Sequence, residues 1–248
     1  MTTPDPAHFE HHAALYDDAR PPYPEELWQR LRDLSLLIPG GHALDLGAGS
    51  GQATGRLLAE GMHGTAVEPG VELGRHLHER FPQVSLLAAT AEQVAIPDAT
   101  FDIAVAATSI HWMDLSIVLP KISRALRPGG HLLVWRHIFG DPLSEATPFR
   151  QHIADIVSQR HAPPRPGPAD VDTTGWATAL VSGNFFTETH REEFRWAIRL
   201  DPAAVTKLFT TFSDWSADEV RQAAQAVKDE GGSVVEHYLT ALIVLERL

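Results

Sequence analysis

The 248-residue sequence predicts an α/β fold, a largely parallel sheet with helices on both faces. Three observations predict it. Apolar strand-like runs alternate with helix-like segments from about Ala43 to Trp135. The run Ala43-Leu44-Asp45-Leu46 ends in a turn of alternating glycines, Gly47-Ala48-Gly49-Ser50-Gly51, and Gln52 then opens a helix. A second run, Gly64-Thr65-Ala66-Val67, ends in a carboxylate, Glu68.

Taken in order, Phe9 to Leu37 carries apolar residues at helical spacing. Arg20-Pro21-Pro22-Tyr23-Pro24 interrupts it, so two helices joined by a rigid bend are expected. The scaffold strands are predicted at Ala43 to Gly47, Thr65 to Glu68, Val84 to Ala89, Phe101 to Ala107 and His131 to Arg136, with four helices between them. Arg127-Pro128-Gly129-Gly130 breaks the chain between the helix ending near Leu126 and the last of these strands. The proline-rich stretch Ala162 to Pro168 predicts a loop between two helical segments, part of a cap insertion. Beyond it, Glu193 to Leu200 alternates as a strand, and Pro202 to Phe212 and Ala217 to Asp229 read as helices. Val234 to Leu245 reads as a final strand able to pair antiparallel with Glu193 to Leu200.

Composition bounds the function. With 44% hydrophobic residues the chain can bury a substantial core. The absence of cysteine removes disulfides, thiolate metal sites and thiol redox chemistry. A net charge of −12 and the lack of a dense basic run oppose a nucleic-acid substrate. The start, Met1-Thr2-Thr3-Pro4-Asp5-Pro6, has neither a basic nor an apolar signature, and the late apolar run Leu239 to Leu245 is too short to span a bilayer. A cytoplasmic protein with no membrane partner is expected.

The glycine turn carries the chemistry. A dinucleotide fingerprint spaces its glycines G-x-G-x-x-G, whereas Gly47, Gly49 and Gly51 give G-x-G-x-G with Asp45 just before them. Glu68 is suited to accept hydrogen bonds from both ribose hydroxyls. Asp45 and Glu68 together bring two negative charges, which disfavour a diphosphate and suit an adenosine bearing an ammonium and a sulfonium. That ligand is S-adenosylmethionine. Nicotinamide chemistry stays open as the alternative, as does a noncatalytic module that binds the same nucleoside.

These residues resemble the class I S-adenosylmethionine-dependent methyltransferases, in the small-molecule subgroup that includes trans-aconitate methyltransferases. The likeness covers about residues 9 to 137. It rests on Leu44 to Gly51, Val67-Glu68-Pro69, Thr90-Ala91-Glu92, Phe101-Asp102, His111-Trp112 and Leu126 to Gly130, with a lid-like opening at Phe9, Ala14, Tyr16, Arg20-Pro21 and Tyr23-Pro24. The resemblance implies a Rossmann-like seven-stranded mixed sheet whose last strand is antiparallel, with helices on both faces and a helical lid. It divides the chain into a lid over 1–37, a cofactor-binding core over 38–137, and a cap with completion of the sheet over 138–248. It also implies that Asp45, Gly47 and Gly49 line the methionine and ribose, that Glu68 holds the ribose hydroxyls, that Ala91 and Glu92 flank the adenine, and that Ala48, Pro69 and Thr108 belong to the cofactor site. Thr90 stands where many relatives carry aspartate. The loop from Ala107 through Thr108 to Trp112 is placed beside the sulfonium and the acceptor.

In-line methyl transfer needs alignment first, and a base only when the acceptor is a hydroxyl or carbon acid rather than a carboxylate. The expected reaction is methylation of a small molecule at oxygen, with carbon or nitrogen as alternatives. His111 is the candidate base, against a role capping the helix that starts near Asp114. Trp112 offers an apolar or cation-π wall, against simple packing. Tyr16 and Arg20 are candidate lid residues. Arg136 and His137, at the end of the fifth strand, are candidate substrate contacts, against a surface pair. His8, His11 and His12 lack a matching ligand set, and Ile103 to Ala107 supplies no acidic metal ligand, so metal-free catalysis is expected.

Overall fold

A computed structural model describes Leu15 and residues 18–160 and 168–248. The expected first helix with Phe9, Ala14 and Tyr16, the histidines at 8, 11 and 12, and the stretch 161–167 lie outside the described residues.

After the proline bend comes helix α1 (Glu25–Asp33), entered from an extended Pro24, with Glu25 and Glu26 in its first turn and Arg30 and Arg32 in its last. That charge order suits the helix dipole. Leu27, Trp28 and Leu31 form its buried stripe. The scaffold follows as β1 (His42–Leu46), α2 (Gln52–Ala59), β2 (His63–Val67), α3 (Val71–Arg80), β3 (Ser85–Leu87) and β4 (Phe101–Ala107). A short 3-10 turn at Ile110–Trp112 leads to α4 (Leu115–Ala125) and β5 (Leu126–Phe139). The C-terminal part contains α5 (Pro148–Ser158), α6 (Thr173–Val181), β6 (Phe186–Leu200), α7 (Pro202–Thr210), α8 (Ala217–Asp229) and β7 (Val234–Arg247).

The strands form one seven-stranded sheet in the order β3-β2-β1-β4-β5-β7-β6. β1 to β5 run parallel, and β7 runs antiparallel to both β5 and β6, as the resemblance implied. The predicted break at Arg127 to Gly130 takes the form of a bulge at the start of β5, where the register jumps from Phe101↔Leu126 to Ile103↔His131. Arg127 Nη1 holds it by donating to Asp102 at 2.6 Å. β6 begins earlier than expected, at Phe186, because Thr187 to Glu193 on this edge strand are all polar and hide the alternation.

Two apolar layers sandwich the sheet. On one face Val118, Leu119 and Ile122 of α4 and Trp176 and Leu180 of α6 pack on Leu132, Val134 and Ile243. On the other, Leu27, Trp28 and Leu31 of α1 and Leu57 of α2 pack on Leu133, Trp135 and Leu242. A further cluster, Phe149 of α5, Val205, Leu208 and Phe209 of α7 and Val220, Ala223 and Val227 of α8, covers the ends of β6 and β7 around Tyr238. Thus α6 belongs to the sheet's flank, while α5, α7 and α8 cluster together over one end of it. The strand order reverses between β1 and β4, so their carboxyl ends splay and leave a crevice, the position at which open α/β sheets bind ligands.

Candidate active site

The crevice is a cavity of about 630 Å³ that gathers loops from every scaffold strand. Its floor is the glycine turn. Gly47 and Ala48 donate to the Val67 carbonyl at 2.8 and 3.1 Å, which ties the turn to the end of β2. Gly47 has φ +65°, and a Cβ there would sit 2.8 Å from the Ser109 Cβ, so both backbone and packing require glycine. Gly49 has φ +57° with no protein atom within 4 Å of where a Cβ would be, the open cradle expected where a ligand approaches the backbone.

Glu68, only 6% exposed, organises the turn through both carboxylate oxygens. One accepts the Gly49 N–H at 2.7 Å and the other the Gly70 N–H at 2.8 Å. Below the turn lies Asp45, 2% exposed, whose Oδ2 accepts the Thr54 hydroxyl at 2.6 Å while Oδ1 has no hydrogen-bond partner. Burial, and to a lesser degree the charge of Glu68, pushes the Asp45 carboxyl up to about 6. A cation bound over this pair of carboxylates would relieve both strains.

The next wall is the loop after β3. Thr90, Ala91 and Glu92 line the cavity. Lys121 of α4 clamps this loop by donating to the carbonyls of Ala91 and Val94 at 3.0 Å each and to that of Glu92. Burial tends to raise the Glu92 carboxyl, but hydrogen bonds from the Asp114 N–H, its own N–H and the Thr90 hydroxyl hold it below the usual range. The Thr90 hydroxyl is therefore engaged with Glu92.

The far wall comes from the end of β4 and the proline bend. Thr108 has φ +57°, a strained conformation for a β-branched residue, and its N–H donates to the Trp135 carbonyl at 2.8 Å. Ser109 Oγ donates to the Leu46 carbonyl at 2.6 Å, joining β4 to β1. The Tyr23 hydroxyl reaches the Ala107 carbonyl at 3.3 Å and Thr108 Oγ1 at 3.4 Å, and its ring stands edge-on to His137 at 5.3 Å. Arg20 crosses the opening: its guanidinium donates to the Thr211 carbonyl at 3.1 Å and lies over the Phe212 ring. Gln52 Nε2 in turn donates to the Arg20 carbonyl at 3.1 Å.

The expected site residues Gly47, Ala48, Gly49, Glu68, Pro69, Ala91, Glu92, Thr108, Arg20, Trp112 and His137 all line this one cavity. Asp45, Arg136 and His111 do not. Asp45 is withdrawn beneath the turn. Arg136 and His137 are consecutive in a strand and so point to opposite faces. Arg136 pairs with Asp170 at 2.5 Å under the Trp176 ring, on the α6 side. His111 stacks against Trp112 at 4.9 Å outside the lining, and the helix cap it was weighed against is made by Asp114, whose carboxylate accepts the Ser116 N–H at 2.9 Å. Tyr16 lies outside the described residues. Met113 and Lys121 are not singled out by the sequence; Tyr23 is named there only within the lid-like opening, and Ser109 only within the loop from Ala107 to Trp112.

Among the described residues no group of three or more histidine, aspartate or glutamate side chains is placed to hold a metal, and no helix is long and apolar enough to cross a membrane.

A glycine cradle and two buried carboxyl groups at the sheet's switch point fit S-adenosylmethionine, and the chain belongs to the S-adenosylmethionine-dependent methyltransferases. Residues 44–134 match the methyltransferase domain family. Rv3342 of Mycobacterium tuberculosis, an uncharacterized methyltransferase, is 30% identical over 201 residues, 80% of this chain and 73% of that one. The uncharacterized methyltransferase C25B8.09 of Schizosaccharomyces pombe is 28% identical over 207 residues, 83% and 78% of the two chains. A solved structure from Anaeromyxobacter dehalogenans, assigned as a type II methyltransferase, superposes with a TM-score of 0.65 at 27% identity over 91% of this chain and 97% of that one. S-adenosylmethionine is the cofactor.

Proposed function

We propose that the protein methylates a small-molecule acceptor at oxygen, a carboxylate or hydroxyl, without a metal. The observation that carries this reading is the continuity of the 630 Å³ cavity from the glycine turn to Arg20, Trp112 and His137. That volume is in the range of small-ligand sites, and its acceptor end is crossed by Arg20 rather than open to a flat macromolecular surface.

Bound S-adenosylmethionine supplies an electrophilic methyl on a sulfonium. Glu68 and Gly49 hold the ribose side, Ala91 and Glu92 the adenine, and Asp45 and Glu68 balance the positive charges. Thr108 and Trp112 stand between the cofactor and the acceptor end. Alignment there is the main catalytic contribution, worth up to roughly 7 to 11 kcal/mol in well-oriented systems. At the acceptor end we assign His137 in place of His111, because His137 lines the cavity. Burial beside Arg20 depresses the His137 imidazole to about 3, so it is neutral at working pH. A neutral ring and a nearby guanidinium suit an acceptor that arrives already ionised, and the sequence likeness to trans-aconitate methyltransferases supports oxygen as the atom methylated. The N-terminal segment through Arg20 serves as the lid, and the α5, α7 and α8 cluster as the cap it meets at Thr211.

Calorimetry with S-adenosylmethionine and a labelled-methyl transfer screen over small acids, phenols and amines test the reading. Binding that survives Glu68→Ala and Gly49→Val would remove the assigned cofactor site. Transfer confined to amines would remove the oxygen acceptor.

A further inference from the structure

Behind the acceptor end, three rings crowd together from three strands. His137 of β5, Trp196 of β6 and Tyr238 of β7 lie with centroids 5.0 Å apart for His137–Trp196, 5.0 Å for His137–Tyr238 and 4.8 Å for Trp196–Tyr238. Two polar atoms of this cluster, His137 Nε2 and Tyr238 Oη, are buried with no hydrogen-bond partner. Orphaned buried donors are rare, because each carries a desolvation cost that a partner would offset. His137 lines the ligand cavity, Tyr238 packs against its ring outside the lining, and the charge of Arg20 acts on both groups.

The polarity of the cluster follows from Thr240. Its Oγ1 lies 3.0 Å from Trp196 Nε1 and 3.2 Å from His137 Nδ1. An indole N–H can only donate, so the Thr240 oxygen accepts it, and the threonine keeps its own proton to give. Donated to His137 Nδ1, that proton leaves the imidazole N–H on Nε2. Tyr238 is likewise a donor, since burial pushes its phenol well above the usual range. Among the described residues, the charged groups that act here are Arg20, on both His137 and Tyr238, and the buried pair Glu236–Arg150 at 3.2 Å, on Tyr238.

We propose that His137 and Tyr238 form a subsite for an oxyanion of the acceptor, with Nε2–H and Oη–H as donors and Arg20 as counter-charge, and that Thr240 and Trp196 are positioning residues that fix His137 as the donor tautomer. This rests on the methyltransferase reading and deepens it, making His137 a binding donor and not a base. The carboxylate or other oxyanion completes a site that the protein alone leaves unsatisfied.

The test uses the full chain saturated with S-adenosylhomocysteine, with benzoate as the oxyanion probe and benzamide as its neutral isostere. Benzoate is expected to raise Tm and benzamide to leave it unchanged, with benzoate affinity about tenfold weaker in Tyr238→Phe, the loss typical of one hydrogen bond to a charged group. Without any probe, Tyr238→Phe is expected to melt at or above the wild-type temperature. Imidazole nitrogen-15 shifts of His137 should report the Nε2–H tautomer in wild type and a mixture in Thr240→Val. Equal responses to the two probes, no response to either, a Tm loss of several degrees in Tyr238→Phe alone, or an Nδ1–H tautomer would each overturn the proposal. Failure of wild type to bind S-adenosylhomocysteine in the preceding calorimetry would instead overturn the cofactor site.

Discussion

Asp45 and Thr54 share a 2.6 Å hydrogen bond beneath the glycine turn, and it satisfies only one of the two buried Asp45 oxygens. This contact links β1 to the first turn of α2 and leaves a carboxyl raised to about 6 beneath the glycine turn. Because the folded value lies above the ordinary 3.8, the folded state binds the extra proton. Stability of the cofactor-free protein therefore falls as pH rises from about 4 to about 6, by roughly 3 kcal/mol for this group. Asp45→Asn is expected to remove that slope, and thermal melts of both proteins at pH 4.5 and 7.5 check it. Cofactor affinity, measured by calorimetry, should rise across the same window in wild type and be low and flat in the variant.

Glu236 is fully buried, pairs with Arg150 at 3.2 Å, and burial outweighs that charge and the His237 backbone to raise its carboxyl to about 7. The sign is the same as for Asp45. Its ionisation weakens the fold as pH rises from about 4.5 to 7, so Glu236→Gln should be more stable than wild type at pH 8 and about equal at pH 4.5. Parallel denaturant titrations at the two pH values read the difference; a constant gap would refute the shift.

Neighbouring glycines of the turn should fail in different ways. Gly47→Ala meets Ser109 at 2.8 Å in a left-handed backbone and is expected to cost roughly 2 to 5 kcal/mol of stability. Gly49→Ala has the same backbone problem but open space around it, so it should cost only about 1 kcal/mol and instead reduce cofactor binding at least tenfold. Denaturant midpoints and S-adenosylhomocysteine affinity, measured on both variants, separate the two.

Lys121 uses its donors on three carbonyls of the loop after β3, which we propose holds the adenine. Lys121→Met keeps the stem and removes the clamp. Cofactor affinity is expected to fall about tenfold, or roughly 1.4 kcal/mol. Selectivity for adenosine over guanosine analogues should narrow with it, and competition binding provides the measurement.

Much of this molecule is written in short stretches of sequence. The alternation around Asp45 and Glu68, the glycines between them, and the Ser216–Glu219 capping box that starts α8 depend on contacts within a few residues, and so local pattern places them. Local alternation also marked Glu193 to Leu200 and Val234 to Leu245 as strands, but two helices lie between them in the chain, and their pairing is a long-range contact. What pattern did not reach was the facing of side chains between distant strands. Arg136 and His137 look equivalent in the chain, yet the pleat sends one to Asp170 and the other to the cavity. Asp45 and Glu68 look like two ligand contacts, yet only Glu68 reaches the lining. Tyr238, Thr240 and Trp196 carry no motif at all. They meet His137 because β7 lies between β5 and β6 in one particular register, and His137 and Thr240 are 103 residues apart. Sequence determined the elements and the cofactor turn, since those are set by local backbone preference and burial period. Only the tertiary structure decided which polar groups were left buried and unpaired, because that depends on how the strands align.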